Sequence, residues 1–270
     1  MSSFILEKNN GLAIVTMDML DSPQNVLNDT IGREFEALFD DIERDSSLNA
    51  MIFKSGKAGC FVAGADISML QNIETLEQAK ASSQLLHSLF QRIADLKIIT
   101  VAAIDGVCLG GGLELALVFD YRIATSAKTT IIGLPEVQLG VLPGGGGTTR
   151  LPRMMSLPDA LDMLLTGKQL NAKRAKNVGL VDKVVLPEML MQTAKAFALK
   201  NKPTRTHALT HFYSRTHTRT HPHAHTHTTS YTPLLTHTHT YSLTHALSHP
   251  PSFPLVSLIY SLTRTHTLTH

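Results

Sequence analysis

Two glutamates, each just past a glycine-bearing turn, are the residues of this sequence best placed to do chemistry. Glu114 lies in Cys108-Leu109-Gly110-Gly111-Gly112-Leu113-Glu114-Leu115-Ala116-Leu117. Glu136 lies in Ile132-Gly133-Leu134-Pro135-Glu136-Val137-Gln138-Leu139-Gly140. Paired carboxylates near exposed backbone N–H groups can bind a carbonyl and move protons around it. Gly110–Gly112 lead into a predicted helix start, where N–H groups lack partners and the helix dipole favours negative charge. That turn is a candidate oxyanion site. A third segment, Phe61-Val62-Ala63-Gly64-Ala65-Asp66-Ile67-Ser68-Met69-Leu70, carries another glycine-bearing turn, and a second donor can come from around Ala65. Taken one at a time, both glutamates also read as plain acids at helix starts. Gly144–Gly147 is not followed by Gly-Lys-Ser/Thr, so it is no Walker loop. The glycines around Gly106 and Gly110 form no G-x-G-x-x-G with a downstream ribose acid, which argues against a dinucleotide site.

The elements that must hold these residues alternate between strand and helix. Phe4–Glu7 and Leu12–Asp18 read as strands joined at Asn9-Asn10-Gly11. Asn28 or Asp29 can cap a helix to about Asp45, with Ile31, Phe35, Leu38, Phe39 and Ile42 at helical spacing. Met51–Lys54 is a short strand. Thr75-Leu76-Glu77-Gln78 is a capping box opening a helix to about Leu96, with Leu85, Leu86, Leu89, Phe90 and Ile93 as its buried stripe and His87 off it. Ile98–Ile104 is apolar enough to need cover on both faces. A helix is expected around Leu113–Phe119 and a strand at Tyr121–Ala124. Helical pattern returns at 157–166 and 171–178, followed by a strand at 181–185 and a helix from about Pro187. The alternation predicts a layered α/β fold.

Composition narrows the function classes. The 270 residues are 43% hydrophobic and 17% charged, which suits a buried core. Residues 1–202 hold all 22 acids and 20 of the 24 Lys and Arg, so this part is near neutral, and its scattered lysines do not point to nucleic acid. Cys60 and Cys108 cannot form a disulfide framework and read as buried thiols in a reducing compartment. No secretory leader, Arg-rich transit peptide or membrane-spanning run is expected from the sequence. Residues 203–270 are of another kind. Thr-His recurs throughout, and every histidine but His87 lies there. The stretch reads as a translated simple repeat, a low-complexity tail that is expected to be disordered. Metal chelation by His221, His223, His225 and His227 is the competing reading.

In combination, FVAGADISML, VAAIDGVCLGGGLELAL, GLPEVQLGVLPGGGGTTRLPR and LTGKQLNAKRAKNVGLVDKVV resemble the enoyl-CoA hydratase/isomerase (crotonase) family from about Leu6 to about Lys200. Within it, GLPEVQLG and LTGKQL are most similar to the N-terminal hydratase part of the multifunctional fatty acid oxidation complex α subunit. The resemblance implies an α/β spiral of strand-strand-helix repeats over residues 1–202 and acyl-CoA thioester substrates. It implies oxyanion donors at the N–H groups of Ala65 and Gly111, and two catalytic carboxylates, Glu114 and Glu136. The turn with Ala63, Gly64, Asp66 and Ile67, together with Gly110, is expected to lie along the CoA. The implied reaction is syn hydration of a 2-trans-enoyl-CoA in fatty acid β-oxidation, with Glu114 holding the water and Glu136 delivering a proton to C2. It needs no metal, nicotinamide or flavin. Retention of both glutamates favours hydratase over isomerase, which can manage with one carboxylate at the Glu136 position. The alternatives are an enoyl-CoA isomerase and an inactive CoA-binding fragment. Family relatives oligomerise. The implied location is mitochondrial for a eukaryotic source and cytoplasmic for a bacterial one.

Two departures from the family pattern stand out. Thr149 occupies a position usually held by glutamine. The Thr-His stretch stands where relatives have helices covering the acyl pocket, or a linker into a 3-hydroxyacyl-CoA dehydrogenase. Dehydrogenase activity is therefore not expected, and exposed apolar surface is.

Overall fold

The computed structural model describes residues 2–200. The Thr-His stretch and the proposed boundary at residue 202 lie outside the described residues. The chain opens with a hairpin of β1 (Phe4–Asn9) and β2 (Leu12–Met17), whose turn residues Asn10 and Gly11 have φ of +49° and +76°. Left-handed values at both turn positions match the twist of the paired strands, and Asn and Gly tolerate them. Helix α1 (Asp29–Arg44) is capped by Asn28, whose side chain accepts from the Ile31 N–H at 3.0 Å. Its five expected apolar positions are all buried. Then come β3 (Ala50–Ser55), β4 (Cys60–Val62), α2 (Ile67–Gln71), α3 (Leu76–Asp95), β5 (Ile99–Ile104), β6 (Val107–Leu109), α4 (Gly111–Ala116), β7 (Tyr121–Thr125) and β8 (Ile131–Gly133). A 3-10 turn at Pro135–Leu139 leads to α5 (Gly147–Met154), α6 (Leu157–Thr166), β9 (Gln169–Asn171), α7 (Ala172–Asn177) and β10 (Lys183–Val185). A second 3-10 turn, Pro187–Met189, precedes α8 (Leu190–Lys200).

The strands form two sheets. The larger has the order β1-β2-β3-β5-β7-β10 and the smaller β4-β6-β8-β9. From β2 to β10 the larger sheet is parallel, and β4, β6 and β8 are parallel to one another. The pairs β3–β4, β5–β6 and β7–β8 each put one strand in each sheet before the chain leaves through helices. This is the spiral of strand-strand-helix repeats expected of the family.

Burial on both faces of the larger sheet explains its apolar strands. Val15, Met17, Phe53, Ala102 and Ile104 join the core shared with α1, α3 and α4. Leu12, Ile52, Val101, Ala103 and Ile123 face Leu190, Ala194 and Ala198 of α8. β5 is buried at every position, as its composition requires.

Some expectations need correction. The α3 stripe is buried at Leu89, Phe90 and Ile93, but Leu85 is 38% exposed, because it borders a cleft rather than the core. Helix α4 begins at Gly111 instead of Leu113 and ends at Ala116. Glu136 stands in a 3-10 turn, not at the start of an α-helix. Among the described residues, Leu157, Leu161 and Leu165 are exposed on one face of α6, with Leu139 and Leu142 exposed nearby in sequence. No helix among the described residues is long and apolar enough to cross a membrane.

Candidate functional site

The smaller sheet places the site residues. β4, β6 and β8 lie side by side and parallel, so their C-terminal ends share one edge. Ala65 follows β4, Gly111 and Glu114 follow β6, and Glu136 follows β8. The carboxyl edge of parallel strands is where open α/β sheets generally receive ligands.

Ala65 forms an isolated parallel bridge with Leu27. The Leu27 N–H donates to the Gly64 carbonyl at 2.8 Å, and the Asp66 N–H donates to the Leu27 carbonyl at 2.9 Å. Successive N–H groups of an extended chain point to opposite sides, so the Ala65 N–H is turned away from Leu27. It meets no acceptor among the described residues. The Gly111 N–H, first of α4, has none either, as the opening N–H groups of a helix have no intrahelical partner. A β-carbon at Gly111 would lie 3.6 Å from the Ala65 nitrogen and 3.0 Å from Leu27 Cδ1, so the two amides border one narrow gap. Gly110 makes the turn into α4 with φ +52° and ψ −128°, a conformation glycine adopts readily. At Gly112 a β-carbon would lie 2.1 Å from the Val62 carbonyl oxygen, so α4 packs on β4 only because glycine stands there.

The two carboxylates are held differently. Glu114 is 2% exposed, and its Oε1 accepts from the N–H groups of Gly145 at 2.8 Å and Gly147 at 2.7 Å. Burial pushes its pKa up, while those N–H groups and the Arg150 charge oppose the rise. Arg150 Nη1 in turn donates to the Gly145 carbonyl at 2.9 Å and steadies the loop. Glu136 Oε2 is buried with no hydrogen-bond partner among the described residues. Its Oε1 lies within 3.3 Å of where a Gly110 β-carbon would be, which brings it to the turn before Gly111. Burial, helped by the negative charge of Glu114, pushes the Glu136 pKa up to about 7. A carboxyl group near that value can give or take a proton at neutral pH.

The other expected residues have visible local duties. The Ala63 N–H donates to the Asn25 carbonyl at 2.8 Å. Asp66 caps α2, with Oδ1 accepting from the Ser68 N–H at 2.9 Å and Ser68 Oγ at 2.6 Å, and these bonds hold its pKa down. Ile67 is exposed, and Gly64 packs beside Leu109 and Gly110. His87 is exposed, with its pKa lowered by partial burial and the Arg150 charge. Cys60 and Cys108 are buried, and burial raises both thiols, which makes them poor nucleophiles. No three His, Cys, Asp or Glu side chains cluster as metal ligands among the described residues.

Asn25 is the residue that sequence reasoning missed. It is fully buried, and its Nδ2 donates to the Met17 carbonyl at 2.8 Å, Ser55 Oγ at 2.9 Å and the Phe61 carbonyl at 3.3 Å. Its Oδ1 accepts from the Met19 N–H at 3.1 Å. One side chain thus ties the ends of β2 and β3 to β4, just ahead of Ala65. The only sequence signal is a polar residue between a strand and a helix cap, which loops supply in plenty. An apolar cleft between α1 and α3 opens at Ala65, lined by Leu27, Ile31, Leu85, Leu86, Leu89 and Phe90 among others.

Comparison with known proteins shows the family. The family model for enoyl-CoA hydratase/isomerase matches residues 7–242. A fatty acid oxidation complex subunit alpha from Shewanella amazonensis is 48% identical over 198 residues, covering 73% of this chain and 28% of that subunit. The chain thus corresponds to little more than a quarter of that relative's length. The crystal structure of an enoyl-CoA hydratase from Geobacillus kaustophilus matches with a TM-score of 0.70 at 32% identity, covering 74% of each chain. One from Bacillus anthracis matches with a TM-score of 0.69 at 28% identity, covering 74% of this chain and 76% of that one. The chain belongs to the enoyl-CoA hydratase/isomerase family.

Proposed function

We propose that this domain adds water across the double bond of a 2-trans-enoyl-CoA to give a 3-hydroxyacyl-CoA. The observation that carries the reading is the buried Glu136 Oε2, which has no hydrogen-bond partner among the described residues, on a carboxyl group whose Oε1 lies 3.3 Å from where a Gly110 β-carbon would stand, next to the Gly111 N–H. A buried carboxylate oxygen without a partner is costly unless a ligand or water completes it.

The thioester oxygen sits between the N–H groups of Ala65 and Gly111. Water bound to Glu114 attacks C3, and the electrons of the C2=C3 bond move onto that oxygen. Each preorganised donor contributes about 10²–10³ in rate, because charge grows where it points. Glu114 takes the proton of the water, and Glu136 gives its own proton to C2. The net addition is one H and one OH, and the proton left on Glu114 returns the pair to its starting state. Gly145 and Gly147 hold Oε1 of Glu114, which leaves Oε2 for the water. Gly64 and Gly110 flank the CoA arm, and the chemistry draws on no cofactor.

The test is hydration of crotonyl-CoA by the purified full chain. Glu136→Gln is expected to lower kcat by about 10³-fold with the fold intact, in the range of a lost general acid. Absence of turnover in well-folded protein would overturn the reading. Isomerisation of a 3-enoyl-CoA surviving Glu114→Gln, with no hydration by the unaltered chain, would favour isomerase instead.

A further inference from the structure

We propose that Arg150 is a positioning residue that decides which of the two glutamates acts as the base: it grips the glycine loop and so holds a positive charge near Glu114, while leaving one carboxylate oxygen free for water. This rests on the hydratase reading above. The loop is held from two sides. Gly145 turns its N–H to Glu114 Oε1 at 2.8 Å and its carbonyl to Arg150 Nη1 at 2.9 Å, so one residue joins the carboxylate to the guanidinium. Gly146 lies between the two glycines that hold Glu114, with φ +103°, and a β-carbon on it would strike Arg150 Nη1. The guanidinium therefore occupies the space that a side chain at Gly146 would fill. The Arg150 N–H also donates to the Gly146 carbonyl at 2.9 Å, where the first turn of α5 closes on the loop.

Charge and burial fit this role. Arg150 is half-buried, yet it forms no ion pair among the described residues. Taking a cation partly out of water is costly unless something nearby uses its charge. A direct pair with Glu114 would take up Oε2, whereas a charge one glycine away acts on the carboxylate and keeps that oxygen open. Burial pushes the Glu114 pKa up, and the loop N–H groups and the Arg150 charge pull against that rise. Glu136 has no such cation: burial and the negative charge of Glu114 push it up to about 7. Surroundings that drive two acids apart in this way are what separates a base from an acid. The other charged or titratable groups facing Arg150 are His87 on α3, whose Cε1 lies 3.2 Å from where the same Gly146 β-carbon would stand, and Arg153 on its own helix. Both are exposed, and neither supplies a negative charge.

The experiment records pH profiles of crotonyl-CoA hydration for the full chain, Arg150→Gln, Arg150→Lys and Arg153→Gln. In Arg150→Gln the acid limb of kcat is expected to move up by about one pH unit, which lowers turnover about tenfold on that limb and leaves KM within about twofold. Arg150→Lys keeps the charge and should keep the limb within about 0.3 unit. Arg153→Gln should match the unaltered chain. Arg150→Met, which retains an apolar stem, replaces Arg150→Gln if that variant does not fold. An unmoved acid limb in the neutral variant, or an equal shift in Arg150→Lys, overturns the proposal. If the unaltered chain turns over no crotonyl-CoA, the hydratase reading fails. An NMR titration of the isotope-labelled Glu114 carboxyl then decides the role of Arg150, in a Glu136→Gln background where one acid of the coupled pair titrates alone. The midpoint is expected to rise when the Arg150 charge is removed, and an equal midpoint overturns the proposal.

Discussion

Glu114 and Glu136 lie close enough for the charge of one to act on the other, but sit in contrasting surroundings. Glu114 is 2% exposed and locked by two backbone N–H groups of a glycine loop that Arg150 steadies. Glu136 rides on a 3-10 turn, and one of its oxygens has no partner among the described residues. The loop holds the first carboxylate, whereas one oxygen of the second is held by no group among the described residues. The difference teaches that two neighbouring acids, one buried and one half-buried, need not be interchangeable. The anchored acid suits binding a water at a fixed place, while the unanchored one suits passing a proton.

The sharpest break of this comparison is removal of each side chain in turn. Glu114→Ala strands the Gly145 and Gly147 N–H groups and should cost about 3 kcal/mol, measured by urea unfolding. Glu136→Ala removes a carboxyl group that engages only its own backbone N–H, with one oxygen unpartnered among the described residues, and should be neutral or stabilising above pH 7. Equal losses in the two variants would erase the distinction. A smaller effect is expected at Asn25, which serves the donor side of the site. Asn25→Ala frees the Met17 and Phe61 carbonyls and should cost about 2 kcal/mol of stability. It should also lower kcat for crotonyl-CoA more than it raises KM, because Ala65 loses its aim. A change in KM alone would assign Asn25 to substrate binding.

The smallest effect is the pH dependence of stability. Folding raises the Glu136 pKa from its usual 4.5 to about 7, so the folded state holds a proton that the unfolded state releases in between. Stability from this group is therefore present below about pH 4.5 and declines as pH rises to about 7, by on the order of 1 kcal/mol after allowing for partial solvent screening. Glu136→Gln should flatten that window. An unchanged slope would show that Glu136 titrates as it does in the unfolded chain.

Much of the frame was legible in the sequence because long elements carry a period. The Asn10-Gly11 turn, the Asn28 cap, the Thr75 capping box and the helix at 157–166 lie where local chemistry puts them. The strands β4, β6, β8 and β9 did not show, since three residues are too few for an alternation and their pairing is wholly non-local. Helix α5 was hidden by its opening glycines and internal Pro152. Leu85 matched the apolar period of α3 yet borders a cleft, because a periodic pattern cannot tell a core from the rim of a cleft. The glutamates and their glycines were legible as residues. Their unequal anchoring was not, because it depends on a loop more than thirty positions beyond Glu114.

The spiral that brings three strand ends to one edge also governs when the site comes into being. Ala65, Gly111 and Glu136 belong to three successive windings, so no single winding contains a binding surface. Parallel pairing between windings closes long loops, which slows folding. The site is thus expected to assemble late, when all three windings have docked. A tight-binding acyl-CoA would stabilise the domain as one cooperative unit, and its protection against heat would report on windings far from the thioester itself.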